Sequence, residues 1–217
     1  MRINAEAPGV MAEEAKKLGA AMIHYSTDYV FDGSKSTPYV ETDPTCPINV
    51  YGATKLAGEQ AIQAAGIPHL ILRTSWVYGL HGKNFLLTML RLAQEREELR
   101  IVADQHGAPT WSRTIADTTA QIVAQANDAQ SGPEWWQERS GIYHLTAQGQ
   151  TTWFGFTQAI LENAAISKKP VLTPILTQDY PLPAKRPSYS LMSGEKLIRK
   201  FCNLPDWKEA LMLCMGR

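Results

Sequence analysis

Short apolar runs alternate along this chain with stretches of helical composition and length, and that alternation limits its fold more than any other feature. Residues 9–19 (GVMAEEAKKLG) read as a helix ended by Gly19, with Lys16 and Lys17 in the last turn, where the helix dipole favours cations. AAMIHYS (20–26) and HLILRTS (69–75) are apolar runs of the kind buried parallel strands show. Between them a loop rich in Asp, Gly, Ser and Pro runs from Asp28 to Pro47, and a helical segment, 51–65, stops at Gly66. Helix, strand and helix recur at 84–97, 99–103 and 114–126. Beyond them come a strand (142–146), a helix opened near Thr152, a strand (170–176), a Pro-rich stretch (181–187) and two short helices. Strand-then-helix order predicts an α/β fold, a doubly wound parallel sheet with helices on both faces.

Charge and hydropathy exclude several function classes. Lys plus Arg and Asp plus Glu both total 21, so the basic excess of a nucleic-acid binder is absent. No apolar run approaches the ~20 residues of a membrane span. The start of the chain, MRINAEAPGVMAEEA, has no apolar signal core. Cys46, Cys202 and Cys214 are odd in number and lack C-x-x-C spacing, which suggests neither a disulfide framework nor a zinc site. The expectation is a soluble, cytoplasmic globular protein with no nucleic-acid or membrane partner. The polar segment 127–141 reads as a surface excursion in which Trp135 and Trp136 offer a contact surface, and NFLLTMLRLA (84–93), apolar nearly all round, as a helix buried in the core or a subunit contact.

The chemistry-bearing segment is Tyr51-Gly-Ala-Thr-Lys55. At i and i+4 on a helix, Tyr and Lys project from one face a turn apart. A phenol titrates near ~10, so it is a poor proton donor at neutral pH unless a cation stabilises its phenolate; Lys55 offers that charge. Such a pair alone is weak evidence, since Tyr and Lys often share a helix face by chance. Its context is stronger. One strand candidate runs into Ser26-Thr27-Asp28 and the next into Thr74-Ser75-Trp76, at the carboxyl edge where open parallel sheets bind ligands. His24, inside an apolar run, reads as a core residue, and Tyr29 and Phe31 as loop packing.

HYSTDYVFDG (24–33), PINVYGATKLAGE (47–59), LRTSWVYG (72–79), DQHGAPTW (104–111) and the tail RPSYSLMSGEKL…LPDWKEAL resemble the dTDP-4-dehydrorhamnose reductase family of the extended short-chain dehydrogenase/reductases, from Asn4 to the end of the chain. That resemblance implies NADPH- or NADH-dependent reduction of the C4 keto group of dTDP-4-dehydro-L-rhamnose, a step towards cell-surface polysaccharide. It implies Tyr51 as general acid, Lys55 as the charge that depresses the Tyr51 pKa and holds the nicotinamide ribose, and Thr27 as the hydroxyl bonding the carbonyl. It places Thr74 and Ser75 at the nicotinamide, Thr27, Asp28, Trp76 and His106 at the sugar, and Arg186 at the diphosphate, which suits a guanidinium. Some members of the family form metal-bridged dimers; no carboxylate here is assigned as a metal ligand, and metal dependence stays open. A non-catalytic binding or regulatory homologue and another nucleotide-sugar epimerase or dehydratase are the competing readings.

A dinucleotide fold opens on a strand, a Gly-rich turn and a helix N-terminus that receives the pyrophosphate. No G-x-G-x-x-G or G-x-x-G-x-x-G occurs here; Gly52 and Gly58 are six apart but lie within the Tyr51–Lys55 helix. A βαβ unit needs at least ~30 residues, and only residues 1–19 precede the first strand. The expected architecture is therefore a Rossmann-like domain truncated at its N-terminal half (1–145) and a small α/β substrate lobe (146–217, with contributions from 80–112). The strand at 20–26 would carry an unpaired edge. Such a chain is expected to be inactive or impaired alone, and to form a homodimer or to pair with a chain supplying the missing strands.

Overall fold

The computed structural model describes residues 1–128 and 134–216. A single wide turn over Arg2–Glu6 leads into α1 (Ala7–Lys17), and Gly19, at φ 62°, turns the chain into β1 (Met22–Thr27). The side chain of Asn49 caps α2 (Val50–Ala65) by accepting the Gly52 N–H at 2.8 Å, and Gly66, left-handed at φ 69°, ends it. β2 (His69–Thr74) then pairs in parallel with β1, Met22 opposite His69 and Thr27 opposite Thr74, and on its other side with β7 (Gly141–His144). Central in the order β1-β2-β7, β2 is buried from Leu70 to Thr74, whereas β1 is an edge strand.

Both faces of this sheet are covered. Ile71 packs with Ala12, Ile62 and Ala65 of α1 and α2 on one side. Leu70 and Leu72 point the other way, into a cluster with Ile115 and Ile122 of α4 (Ser112–Ala126) and Leu197 of α7 (Glu195–Lys200). The expected doubly wound α/β architecture is therefore present. A second core gathers α3 (Phe85–Glu95), β4 (Glu98–Val102), α6 (Trp153–Asn163), β9 (Val171–Ile175) and α8 (Trp207–Cys214) around Leu86, Phe156, Ile160 and Leu211.

Three expectations need correction. β4 does not join the main sheet; it pairs in parallel with β9 alone. Its pattern explains this: Glu98 and Arg100 face solvent while Leu99 and Ile101 are buried, the alternation of a strand with one wet face. α3 is not buried all round, since Leu86, Met89 and Ala93 face the core and Thr88, Arg91 and Glu95 the solvent. Trp135, in the short helix α5 (Trp135–Glu138), is core: it is 8% exposed, lies tilted against Phe201 at 5.9 Å and carries the Arg139 guanidinium over its ring. Residues 129–133 of the expected excursion lie outside the described residues.

Two polar arrangements shape the sheet. Arg73 of β2 and Glu59 of α2, 2% and 1% exposed, form a two-pronged ion pair, Nε–Oε1 3.0 Å and Nη2–Oε2 2.7 Å, with the guanidinium lying over Phe31. At the outer strand β7, Glu41 accepts the His144 main-chain N–H at 3.0 Å and Lys196 donates to the Ile142 carbonyl at 2.6 Å. Among the described residues no helix is long and apolar enough to cross a membrane.

Candidate active site

A cleft of about 480 Å³ opens where β1 and β2 end, lined by Thr27, Asp28, Tyr51, Thr74, Trp76 and Arg186 among others. What brings α2 so close is Gly52. A Cβ at that position would lie 2.0 Å from the Tyr29 carbonyl oxygen, and one at Gly58 would lie 2.2 Å from that of Asn4. These glycines serve helix packing, and the first sets Tyr51 beside the loop that follows β1. The Tyr51 ring meets Tyr29 edge-on at 5.9 Å, beside Thr27 in the cleft wall.

Thr27 has two duties. Its Oγ1 accepts the Tyr29 N–H at 3.2 Å, capping the turn 28–30, and donates to Asp28 Oδ1 at 3.0 Å. Asp28 is 3% exposed, and its Oδ2 has no hydrogen bond. Burial pushes its carboxyl up to about 6, against the stabilising bonds from Ser190 and Thr27. Because the folded pKa exceeds the unfolded one, the folded state holds the extra proton between pH 4 and 6, and stability is lost as pH rises through about 6. Asp28→Asn is accordingly expected to gain up to about 3 kcal/mol over wild type at pH 7.5, and little at pH 4. Thermal melts of both proteins across that range check this; a constant difference would mean that the carboxyl ionises freely.

Lys55 stands one turn beyond Tyr51, and its ammonium reaches the strand β1. Nζ donates to the Tyr25 carbonyl of β1 at 2.5 Å and lies 3.4 Å from His24 Nε2. Burial lowers the Lys55 pKa, opposed by Glu59. The Tyr51 phenol is raised, first by burial and then by Asp28, with Thr27 opposing. His24 is half-buried beside Lys55, its pKa pushed down to about 4 by burial and by that ammonium.

The remaining expected residues divide. Thr74 lines the cleft, though its hydroxyl donates to the Ser26 carbonyl at 3.2 Å. Ser75 faces inward, bonded to the Ala108 carbonyl at 2.8 Å and to Thr146 at 2.9 Å, and is absent from the cleft wall. Trp76 forms part of the wall, stacked on Trp153 at 3.6 Å. His106 stands outside it, its ring bonded to Gln150 at 3.1 Å. Arg186, exposed, is held at the rim because Asn49 donates to the neighbouring Lys185 carbonyl at 2.9 Å. Tyr29, Val77, Phe85 and Trp153 also line the cleft and were not foreseen; Trp153 directly follows the N-cap Thr152, a position a helix can aim at a site. A second cavity, about 490 Å³ beside β7, is lined by charges of both signs that largely bond to each other or to main chain. The described residues hold no cluster of metal-ligating side chains.

A doubly wound sheet whose Tyr-x-x-x-Lys helix faces a strand-end threonine is the arrangement of an extended short-chain dehydrogenase/reductase. The profile of the RmlD substrate binding domain family matches residues 1–217. The chain is 51% identical to the dTDP-4-dehydrorhamnose reductase of Burkholderia thailandensis, over 98% of this chain and 73% of that protein, and 46% identical to that of Escherichia coli K12, over 95% and 68%. The structure of the Bacillus anthracis dTDP-4-dehydrorhamnose reductase in complex with NADP superposes with a TM-score of 0.88 at 34% identity, over 99% of this chain and 72% of that one. This chain belongs to the dTDP-4-dehydrorhamnose reductase family.

Proposed function

We propose that this chain reduces the C4 keto group of dTDP-4-dehydro-L-rhamnose to dTDP-L-rhamnose with NADPH, and that these residues alone hold the cofactor weakly. The observation that carries the reading is the convergence of Thr27, Tyr51 and the unpartnered Asp28 oxygen in one cleft, one helical turn from Lys55. The nicotinamide–ribose end of a dinucleotide fits: Tyr51 is half exposed, and the Lys55 ammonium, now donating to the Tyr25 carbonyl, carries donors for a ribose hydroxyl. The pyrophosphate end finds no glycine-rich turn in this sequence.

NADPH, when bound, supplies the hydride. Tyr51 gives its phenolic proton to the C4 oxygen as charge builds there, and the Thr27 hydroxyl, turning its proton from Asp28 Oδ1, donates to that oxygen. Lys55, once turned towards Tyr51, stabilises the phenolate left behind. Asp28 Oδ2 bonds a sugar hydroxyl, which relieves its unmet hydrogen bond. Trp76 and Trp153 bound the sugar, and Arg186 at the rim meets the diphosphate. Residues 1–145 carry the cofactor side of this cleft, and 146–217, with 80–112 and the strand-end residues Thr27, Asp28 and Trp76, the sugar side.

The test is to incubate the chain with dTDP-4-dehydro-L-rhamnose and NADPH up to millimolar levels, following NADPH absorbance and the dTDP-L-rhamnose formed. Weak cofactor holding appears as a high KM for NADPH with product still made. Saturation at micromolar NADPH would remove the weak-holding part; no product at any NADPH level, from protein shown to be folded, would overturn the reading.

A further inference from the structure

Trp76 is the one non-glycine residue at positive φ among the described residues, at 45°. An L-residue with a bulky side chain keeps such a backbone only where its surroundings over-determine it. Two contacts do so. One is the nearly parallel Trp153 indole, 8° off at 3.6 Å. The other is Gly107: a Cβ built there would lie 2.6 Å from Cε2 of the Trp76 indole and 2.8 Å from both neighbouring ring atoms, so only a bare Cα leaves room for that ring.

Trp153 is itself fixed. Its Nε1–H donates to Gln105 Oε1 at 3.1 Å, and the Gln105 amide is oriented in turn by donating Nε2–H to Thr177 Oγ1 at 3.1 Å. Thr177 is anchored by Asp104, which accepts its hydroxyl at 2.7 Å and its main-chain N–H at 2.9 Å. Gln105 is 6% exposed and, with Gly107, lies outside the cleft wall. The Trp76 carbonyl accepts the Thr110 N–H, which ties the same segment to the strained residue from a third side.

We propose that Gln105 and Gly107 are positioning residues for the sugar: Gln105 orients Trp153, Gly107 admits the Trp76 ring, and together they hold the left-handed Trp76 as one wall of the cleft. The segment 104–111 thus acts as a mould behind the site. This inference rests on the proposed function for the identity of the sugar, and on geometry alone for the mould.

The test uses 15N-labelled full chain and two probes, dTDP-L-rhamnose and dTDP, with indole signals assigned by single Trp→Phe variants. Gln105→Met keeps the volume and removes the acceptor. It is expected to lose the exchange protection of the Trp153 indole N–H, to shift the Trp76 indole signal, and to weaken dTDP-L-rhamnose binding about tenfold or more while leaving dTDP unchanged. Gly107→Ala reaches the wall from the other contact. It should shift the Trp76 signal and give the same ligand split with the Trp153 N–H still protected, and it decides the matter should Gln105→Met fail to fold. Unchanged indole signals in a folded variant would overturn the mould, and equal weakening of both probes would reduce Gln105 and Gly107 to general structural residues. Failure of the unaltered chain to bind either probe would refute the sugar reading, while the indole signals would still decide whether the mould exists.

Discussion

Tyr51→Phe is expected to lower turnover of dTDP-4-dehydro-L-rhamnose by about 10²–10⁴-fold, the usual contribution of a positioned proton donor. The prediction is sharp because the phenol carries little structure. Tyr51 is 50% exposed. The variant should therefore melt within about 0.5 kcal/mol of wild type and bind dTDP-L-rhamnose with closely similar affinity. Burial raises the Tyr51 phenol, with Thr27 opposing and Asp28 adding to the rise, so it stays protonated through neutral pH, as a donor must. Steady-state rates at saturating NADPH measure the effect. A loss below tenfold would mean that another group delivers the proton.

The largest effect on stability is expected at Arg73. Arg73→Met leaves the Glu59 carboxylate buried without its partner, and breaking such a pair on one side costs about 3–5 kcal/mol. Glu59→Leu combined with Arg73→Met removes both charges and should recover most of that loss, because the pair's attraction mainly offsets its own desolvation. Urea unfolding of the single and double variants gives the comparison. If the single variant loses under 1 kcal/mol, water or another cation reaches Glu59, contrary to the 1% exposure seen. The pair also joins α2, which carries Tyr51 and Lys55, to β2, which leads to Thr74 and Trp76, so the single variant is expected to disturb the cleft as well.

Much of this was legible in the residues. The end of α2 could be placed closely because Gly66 marks it chemically, and β2 because a parallel strand covered on both faces reads as one apolar run. The arginine in HLILRTS was itself a signal, since a charge in a buried strand demands a partner, but nothing local says that the partner is Glu59. The two-residue strands β3 (Val77–Tyr78), β5 (His106–Gly107), β6 (Thr110–Trp111) and β8 (Thr151–Thr152) escaped because each exists only through its distant pairing. Ser75 and Thr74 are neighbours of similar chemistry, and the Ala108 carbonyl, 33 residues away, turns the first inward. Trp153 entered the cleft through a bond to Gln105, 48 residues distant, which no spacing rule reveals.

The two ends of the main sheet are chemically unlike. At β7 the carboxylate of Glu41 and the ammonium of Lys196 occupy main-chain groups that another strand would use. An incoming strand would have to expel two ionic side chains and replace charge-assisted bonds with neutral ones, a poor exchange. Growth of the sheet by edge-to-edge association is therefore blocked on that flank. The protein is protected there against runaway strand stacking at high concentration, whatever the length of its neighbours.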